Sequence, residues 1–262
     1  MGSTSENGAA KTSDRLLPLS RGRDFMVLML TWAAGSVDAI SYLGLDRVFT
    51  ANMTGNTVLL GLALGQGRGF AALRSLIALG GFGLGVGIGA MVVDRGPKQG
   101  DWPRGVTGAI FIEGIILGLF TITWHFPGTV RGGGLVYALI ALSAIAMGIQ
   151  SAAIRHLNVP GVATTYITGT LTSVVAGTVS WLGPAEIPSS TPKLAGATVV
   201  PASAPAARKH AARLQGAVFF VYGLAAVASG FLQARWPPLV TLSPLFAVAL
   251  VVVNASIRHR YE

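Results

Sequence analysis

Residues 35–59 read Gly35-Ser-Val-Asp38-Ala-Ile-Ser-Tyr42-Leu-Gly-Leu-Asp-Arg47-Val-Phe49-Thr-Ala-Asn52-Met-Thr-Gly55-Asn-Thr-Val-Leu59. The stretch starts inside one apolar run and ends inside the next. It places Asp38, Asn52, Thr54 and Asn56 where lipid would favour leucine. Polar groups at membrane depth are expensive, and where they occur they tend to serve a function.

The rest of the chain fixes that setting. Of 262 residues, 52% are hydrophobic and 11% charged, with a mean hydropathy of +0.61. Soluble domains carry about 25% charged residues, so lipid must be the solvent for much of this surface. The 35 glycines suit close helix packing in a bilayer. Without cysteine, disulfides and thiolate chemistry are excluded. The net charge of +9 lies mostly in loops between apolar runs. That is the membrane pattern of Lys and Arg held on one side, so nucleic acid is not an expected partner.

Outward from the opening stretch, residues 1–22 are polar and read as a disordered cytoplasmic tail, and 258–262 as a short C-terminal one. The expected transmembrane domain runs from 23 to 257. Eight apolar segments are expected at 24–45, 49–66, 70–93, 105–125, 133–155, 161–183, 214–234 and 239–257. Crossing takes about 20 apolar residues. The second and sixth are borderline, because each has a polar first half. Residues 184–212, with five prolines among Ala, Ser and Thr, read as a flexible linker.

The chain repeats itself at an offset of 114. Ala39, Ile40, Leu43, Val48, Thr50, Thr54 and Gly55 fall on Ala153, Ile154, Leu157, Val162, Thr164, Thr168 and Gly169. Residues 23–125 and 133–257 are then expected to be two related halves, a common transporter design. Full crossing by segments 2 and 6 makes the halves parallel; re-entry makes them inverted. Lys and Arg lie mainly inside either way, with both termini cytoplasmic.

Several residues could carry chemistry. Thr31, Ala34, Gly35, Asp38, Ser41 and Tyr42 share one face of the first helix. Asp38 reads as a proton or cation site, or as a structural acid satisfied by Arg47, Arg155 or a helix end. Glu113 has no basic residue in its own segment, so it is expected to carry a proton or to be paired across helices. The cluster Thr50, Asn52, Thr54, Gly55, Asn56 and Thr57 suits a helix start at membrane depth. Such a start points free N–H groups and the positive dipole end at an anionic solute. The second copy offers Thr164, Thr168 and Gly169. Packing through small hydroxyl residues is the alternative for both clusters. Gln150, Arg155, His156 and Asn254 are secondary candidates. Gly81, Gly85 and Gly89, with Gly83 and Gly87, form two small-residue lines expected to pack helices. No spacing supports a metal site, a cofactor or a hydrolase.

From Val37-Asp38-Ala39-Ile40-Ser41 through Phe49-Thr50-Ala51-Asn52-Met53-Thr54-Gly55-Asn56-Thr57, the chain resembles the YoaK-like family of bacterial integral membrane proteins, over about residues 24–257. The resemblance implies a multi-pass protein of the bacterial cytoplasmic (inner) membrane and no set substrate. The proline-rich linker departs from that pattern.

The expected fold is thus an all-α, polytopic membrane helix bundle of six to eight transmembrane segments. The expected function is a secondary transporter or permease of a small, anionic solute, proton-coupled. Its binding residues would be Asp38, Tyr42, Asn52, Thr54, Gly55, Asn56, Glu113, Gln150, Thr164, Thr168 and Gly169. The alternative is a non-transporting scaffold or homo-oligomer joined through glycine-rich helices. No nucleophile–base pair points to an enzyme.

Overall fold

The computed structural model describes the backbone of residues 6–95, 102–126, 134–157, 171, 172, 175 and 205–261. Side chains are described from residue 22 in the first stretch and from 210 to 260 in the last. All regular structure among the described residues is helical. The helices are α1 (Glu6–Gly44), α2 (Met53–Gly65), α3 (Gly69–Asp94), α4 (Arg104–Trp124), α5 (Leu135–His156), α6 (Pro205–Arg235) and α7 (Leu242–Tyr261), with a single 3-10 turn at Pro237–Leu239.

Among the described residues six stretches are long and apolar enough to cross a membrane: Gly22–Gly44, Gly69–Asp94, Arg104–Trp124, Leu135–His156, His210–Arg235 and Pro237–Arg260. They coincide with six of the eight expected segments. The sixth segment, 161–183, lies almost wholly outside the described residues, as does most of the linker. Two boundaries differ from the sequence reading. Helix α1 begins at Glu6, within the expected tail, because extending a helix from a formed span costs little. Helix α6 begins at Pro205, within the expected linker, where proline's fixed φ suits a helix start.

Contacts fix the direction of each helix. Helices α1 and α6 run parallel: Asp24 meets His210 near the starts of their membrane-length stretches, and Gly35 meets Tyr222 and Ala225 further along. Helices α3 and α5 also run parallel, with Gly81 against Ala141 and Ala144, Gly85 against Ile145, and Gly89 against Ile149 and Ala152. Helix α7 runs against α1, pairing Gly22 with Arg258 and Trp32 with Ser243. It runs against α4 as well, through Thr107–His259, Gly114–Val248 and Thr121–Thr241. Helices α1, α4 and α6 therefore point one way, and α3, α5 and α7 the other. We call the face where α1 starts the first face and the opposite one the second.

Helix α2 breaks the alternation. Its 13 residues span about 20 Å, against about 30 Å of hydrocarbon. Arg74, near the start of α3, pairs with Asp46, just past the end of α1, at 2.7 Å. The end of α1 and the start of α3 thus share the second face, and α2 returns to the face it entered from. The chain also leaves α5 and enters α6 on one face, the first.

The core lies between α1, α4, α5 and α7. Met26, Leu30, Val37, Ile110, Met147 and Val248 belong to its main cluster. The seam between α3 and α5 is closer still. A side chain on Gly85 would meet the Ile145 carbonyl, and one on Gly148 the Phe82 carbonyl, so only glycine lets these backbones touch.

Candidate functional site: a re-entrant loop anchored on Asp38

The reversal after α1 is built from residues 45–52. Leu45 N–H donates to the Ser41 carbonyl and Arg47 N–H to that of Tyr42. Asp46 and Arg47 both take the left-handed conformation, with φ of 60° and 62°. For residues with a Cβ this costs about 1 kcal/mol or more each, and it persists only where the surroundings enforce it.

Asp38 does much of that enforcing. It is 3% exposed and lies six residues, or about 9 Å, inside the end of α1. Its Oδ1 accepts the backbone N–H groups of Thr50 at 2.9 Å, Ala51 at 2.7 Å and Asn52 at 3.3 Å. Its Oδ2 accepts the Tyr222 hydroxyl of α6. Three consecutive amides make a concave nest that holds one carboxylate oxygen. The last of them belongs to Asn52, the cap residue of α2, so the carboxylate sits at the positive end of that helix.

The residues after the nest complete the turn. Asn52 caps α2, its Oδ1 accepting Gly55 N–H at 3.2 Å. Asn56 is fully buried; its Oδ1 accepts Phe49 N–H at 3.0 Å and its Nδ2 donates to the Phe49 carbonyl. Phe49 stacks on Tyr42 with ring centroids 5.1 Å apart. A side chain on Gly55 would come within 2.9 Å of the Phe49 ring, which explains glycine there. The Thr50 and Ser41 hydroxyls bond at 3.3 Å, and Ser41 donates to the Asp38 carbonyl at 3.1 Å.

The structure therefore joins Asp38, Tyr42, Asn52, Gly55 and Asn56 in one unit, together with Ser41, Phe49, Thr50 and Tyr222. Thr54 faces outward from α2. Asp38 finds its partners at a helix end rather than at Arg47 or Arg155. Gln150 lies two turns deeper, fully buried, with its amide donating to the Leu30 carbonyl at 3.0 Å. Glu113 sits at the middle of α4, fully buried, and neither carboxyl oxygen has a hydrogen-bond partner among the described residues. Thr164, Thr168 and Gly169 lie outside the described residues.

Sequence reasoning missed Tyr222. Its signal was weak: one of only two hydroxyls in the apolar run 216–231, with its partner 184 residues away. Trp32 and Ser36, which reach Ser243 at 2.9 and 3.4 Å, were missed too. Among the described residues no group of three or more His, Cys, Asp or Glu could hold a metal ion.

Comparison with known proteins gives a family and a relative. A Bacillus subtilis (strain 168) protein described as "UPF0700 transmembrane protein YoaK" is 42% identical over 153 residues, 58% of this chain and 66% of its own length. The matched region thus spans just under two thirds of that relative. No solved structure matches. Residues 26–257 match the family described as "Protein of unknown function (DUF1275)", and the chain belongs to that family of multi-helix membrane proteins.

Proposed function

We propose that this protein is a secondary transporter of a small solute, built from two inverted halves around the re-entrant α2. One observation carries the reading: α2 starts at membrane depth, beside Asp38, and returns to the face it entered from. Helix ends at this depth, at the junction of two repeats, are where secondary transporters place their solutes.

The helix directions support inversion. Helix α1 opens the first half pointing towards the second face; α5 opens the other half pointing back. Exchanging α1 with α5, α3 with α6 and α4 with α7 turns the α1–α6 contact into α5–α3, and α1–α7 into α5–α4. All four pairs are packed. The 114-residue offset fits the first of these exchanges, carrying Ala39 and Ile40 of α1 onto Ala153 and Ile154 of α5. Charge supports an orientation. On this topology 14 of the 19 Lys and Arg residues fall on the first face or its loops. That face is the cytoplasmic side of a bacterial inner membrane, and both termini lie there.

The solute is a small anion, drawn by the positive dipole end of α2, while Asp38 keeps the Thr50, Ala51 and Asn52 amides. The protein moves it without chemical change and takes no cofactor. Asp38, Tyr42, Asn52, Gly55 and Asn56 shape the loop, and the solute binds beside it.

Two measurements test this. The chain has no cysteine, so Arg68→Cys and Arg95→Cys report sidedness without background. Arg68→Cys should react with an impermeant maleimide on intact spheroplasts, and Arg95→Cys only after permeabilisation. Reversed labelling removes the orientation. Proteoliposomes should then give transient currents on jumps of a panel of small carboxylates and phosphate. Silence across that panel, from protein that elutes as a single folded species, would remove the anion-transport reading.

A scaffold or homo-oligomer is the second reading, favoured by one observation. Among the described residues, side chains on Gly83 and Gly87 of α3 would meet nothing within 4 Å, so this small-residue line is open to another helix. The line Gly81, Gly85 and Gly89 is already covered by α5. Leucine at both Gly83 and Gly87 should leave the protein folded and dissociate such an oligomer.

A further inference from the structure

We propose that Glu113 is an exchangeable proton site, and that the ion coupled to transport is therefore a proton bound there and not at Asp38. The inference rests on the transport reading and deepens it by naming the ion.

The two buried acids differ in what they accept. Asp38 is saturated by three amides and a tyrosine hydroxyl, and these bonds hold the loop in place. A ligand there would have to displace the fold's own contacts. Glu113 accepts nothing among the described residues. Its neighbours one turn away on the same face of α4, Ala109, Ile110 and Leu117, are buried and apolar.

An ionised carboxylate in such a place would cost several kcal/mol even after relaxation. A counter-ion could offset that, yet none lies nearby among the described residues. The charged and titratable groups on the helices packed against α4 sit towards helix ends: Arg74 and Asp94 of α3, Tyr137, Arg155 and His156 of α5, and Arg258, His259 and Arg260 of α7. His259 is beside Thr107, six residues or about 9 Å along α4 from Glu113. A metal cation is no better served. Alkaline-earth ions take about six oxygen ligands, and no described group of three acids or histidines exists. A proton needs only the carboxyl itself.

A buried neutral acid could also be inert, so the test reads exchange. The wild type, Glu113→Gln and Glu113→Asp are reconstituted into phosphatidylcholine vesicles at neutral pH and followed by infrared spectroscopy. The wild type should show a protonated-carboxyl C=O band that moves within minutes of transfer to heavy water. Glu113→Gln should lose the band, and Glu113→Asp should keep one at a changed frequency. Three results would each overturn the proposal: a wild type with no such band, a band that survives in Glu113→Gln, or one that stays unmoved in heavy water for hours. Should Glu113→Gln fail to fold, an unchanged band frequency in Glu113→Asp overturns it instead. The transport reading fails separately, if the band behaves as stated while the proteoliposomes carry no solute.

Discussion

Among the described residues two carboxyl groups are buried in apolar helices, and their surroundings are opposite. Asp38 accepts four hydrogen bonds from two parts of the chain. Glu113 accepts none among the described residues, at equal or deeper burial. A fully bonded buried acid is a fixed joint: its removal strands the donors that face it. An unbonded one holds nothing in place, and its burial is a cost that folding alone does not explain. The same residue class thus serves architecture in α1 and is free for exchange in α4. Burial alone does not separate the two roles; the list of bonded partners does.

The contrast can be broken by substitution. The largest effect is expected from Asp38→Ala, which leaves three amides and the Tyr222 hydroxyl facing apolar space. At about 1–3 kcal/mol for each of these four donors, the loss is about 4 kcal/mol or more. A melting curve in mild detergent should show it as a large drop in Tm, or the protein should fail to accumulate. Next comes Asn56→Ala, which frees both the N–H and the carbonyl of Phe49. About 2 kcal/mol is expected on the same grounds, together with faster proteolysis within residues 45–52. Tyr222→Phe removes one hydrogen bond to a charged acceptor, worth about 1.5–3 kcal/mol, and leaves the nest intact. Its Tm should fall less than that of Asp38→Ala. The smallest effect should come from Glu113→Gln, whose stability should match the wild type within about 0.5 kcal/mol, because no partner is lost. A fall as large as that of Asp38→Ala would erase the contrast and make both acids structural.

Much of this was legible in the sequence. Six apolar runs of spanning length became six helices of nearly the same bounds. The shared face of Thr31, Asp38 and Ser41 is buried, and the line Gly81, Gly85 and Gly89 packs as its spacing implied. Glu113 stood out because nothing basic lies near it along the helix. The partners of Asp38 were harder to read. They are backbone amides, which every residue but proline carries, so no letter of the sequence marks them. Tyr222 was hidden for another reason: helical periodicity speaks of neighbours three or four residues away, and this contact spans 184. The course of α2 needed tertiary contacts as well, since charge counts satisfied both topologies; the Asp46–Arg74 pair separates them.

The spacing of the contacts on Asp38 also bears on how the chain is made. Its amide partners follow 12 to 14 residues later, whereas Tyr222 follows after 184. As the chain leaves the ribosome and enters the bilayer, the acid of the first span meets its nest almost at once, long before α6 has been synthesised. The α1–α2 hairpin can therefore shelter its own charge during insertion. The tyrosine arrives late, as the fastening that ties the finished second half to the first.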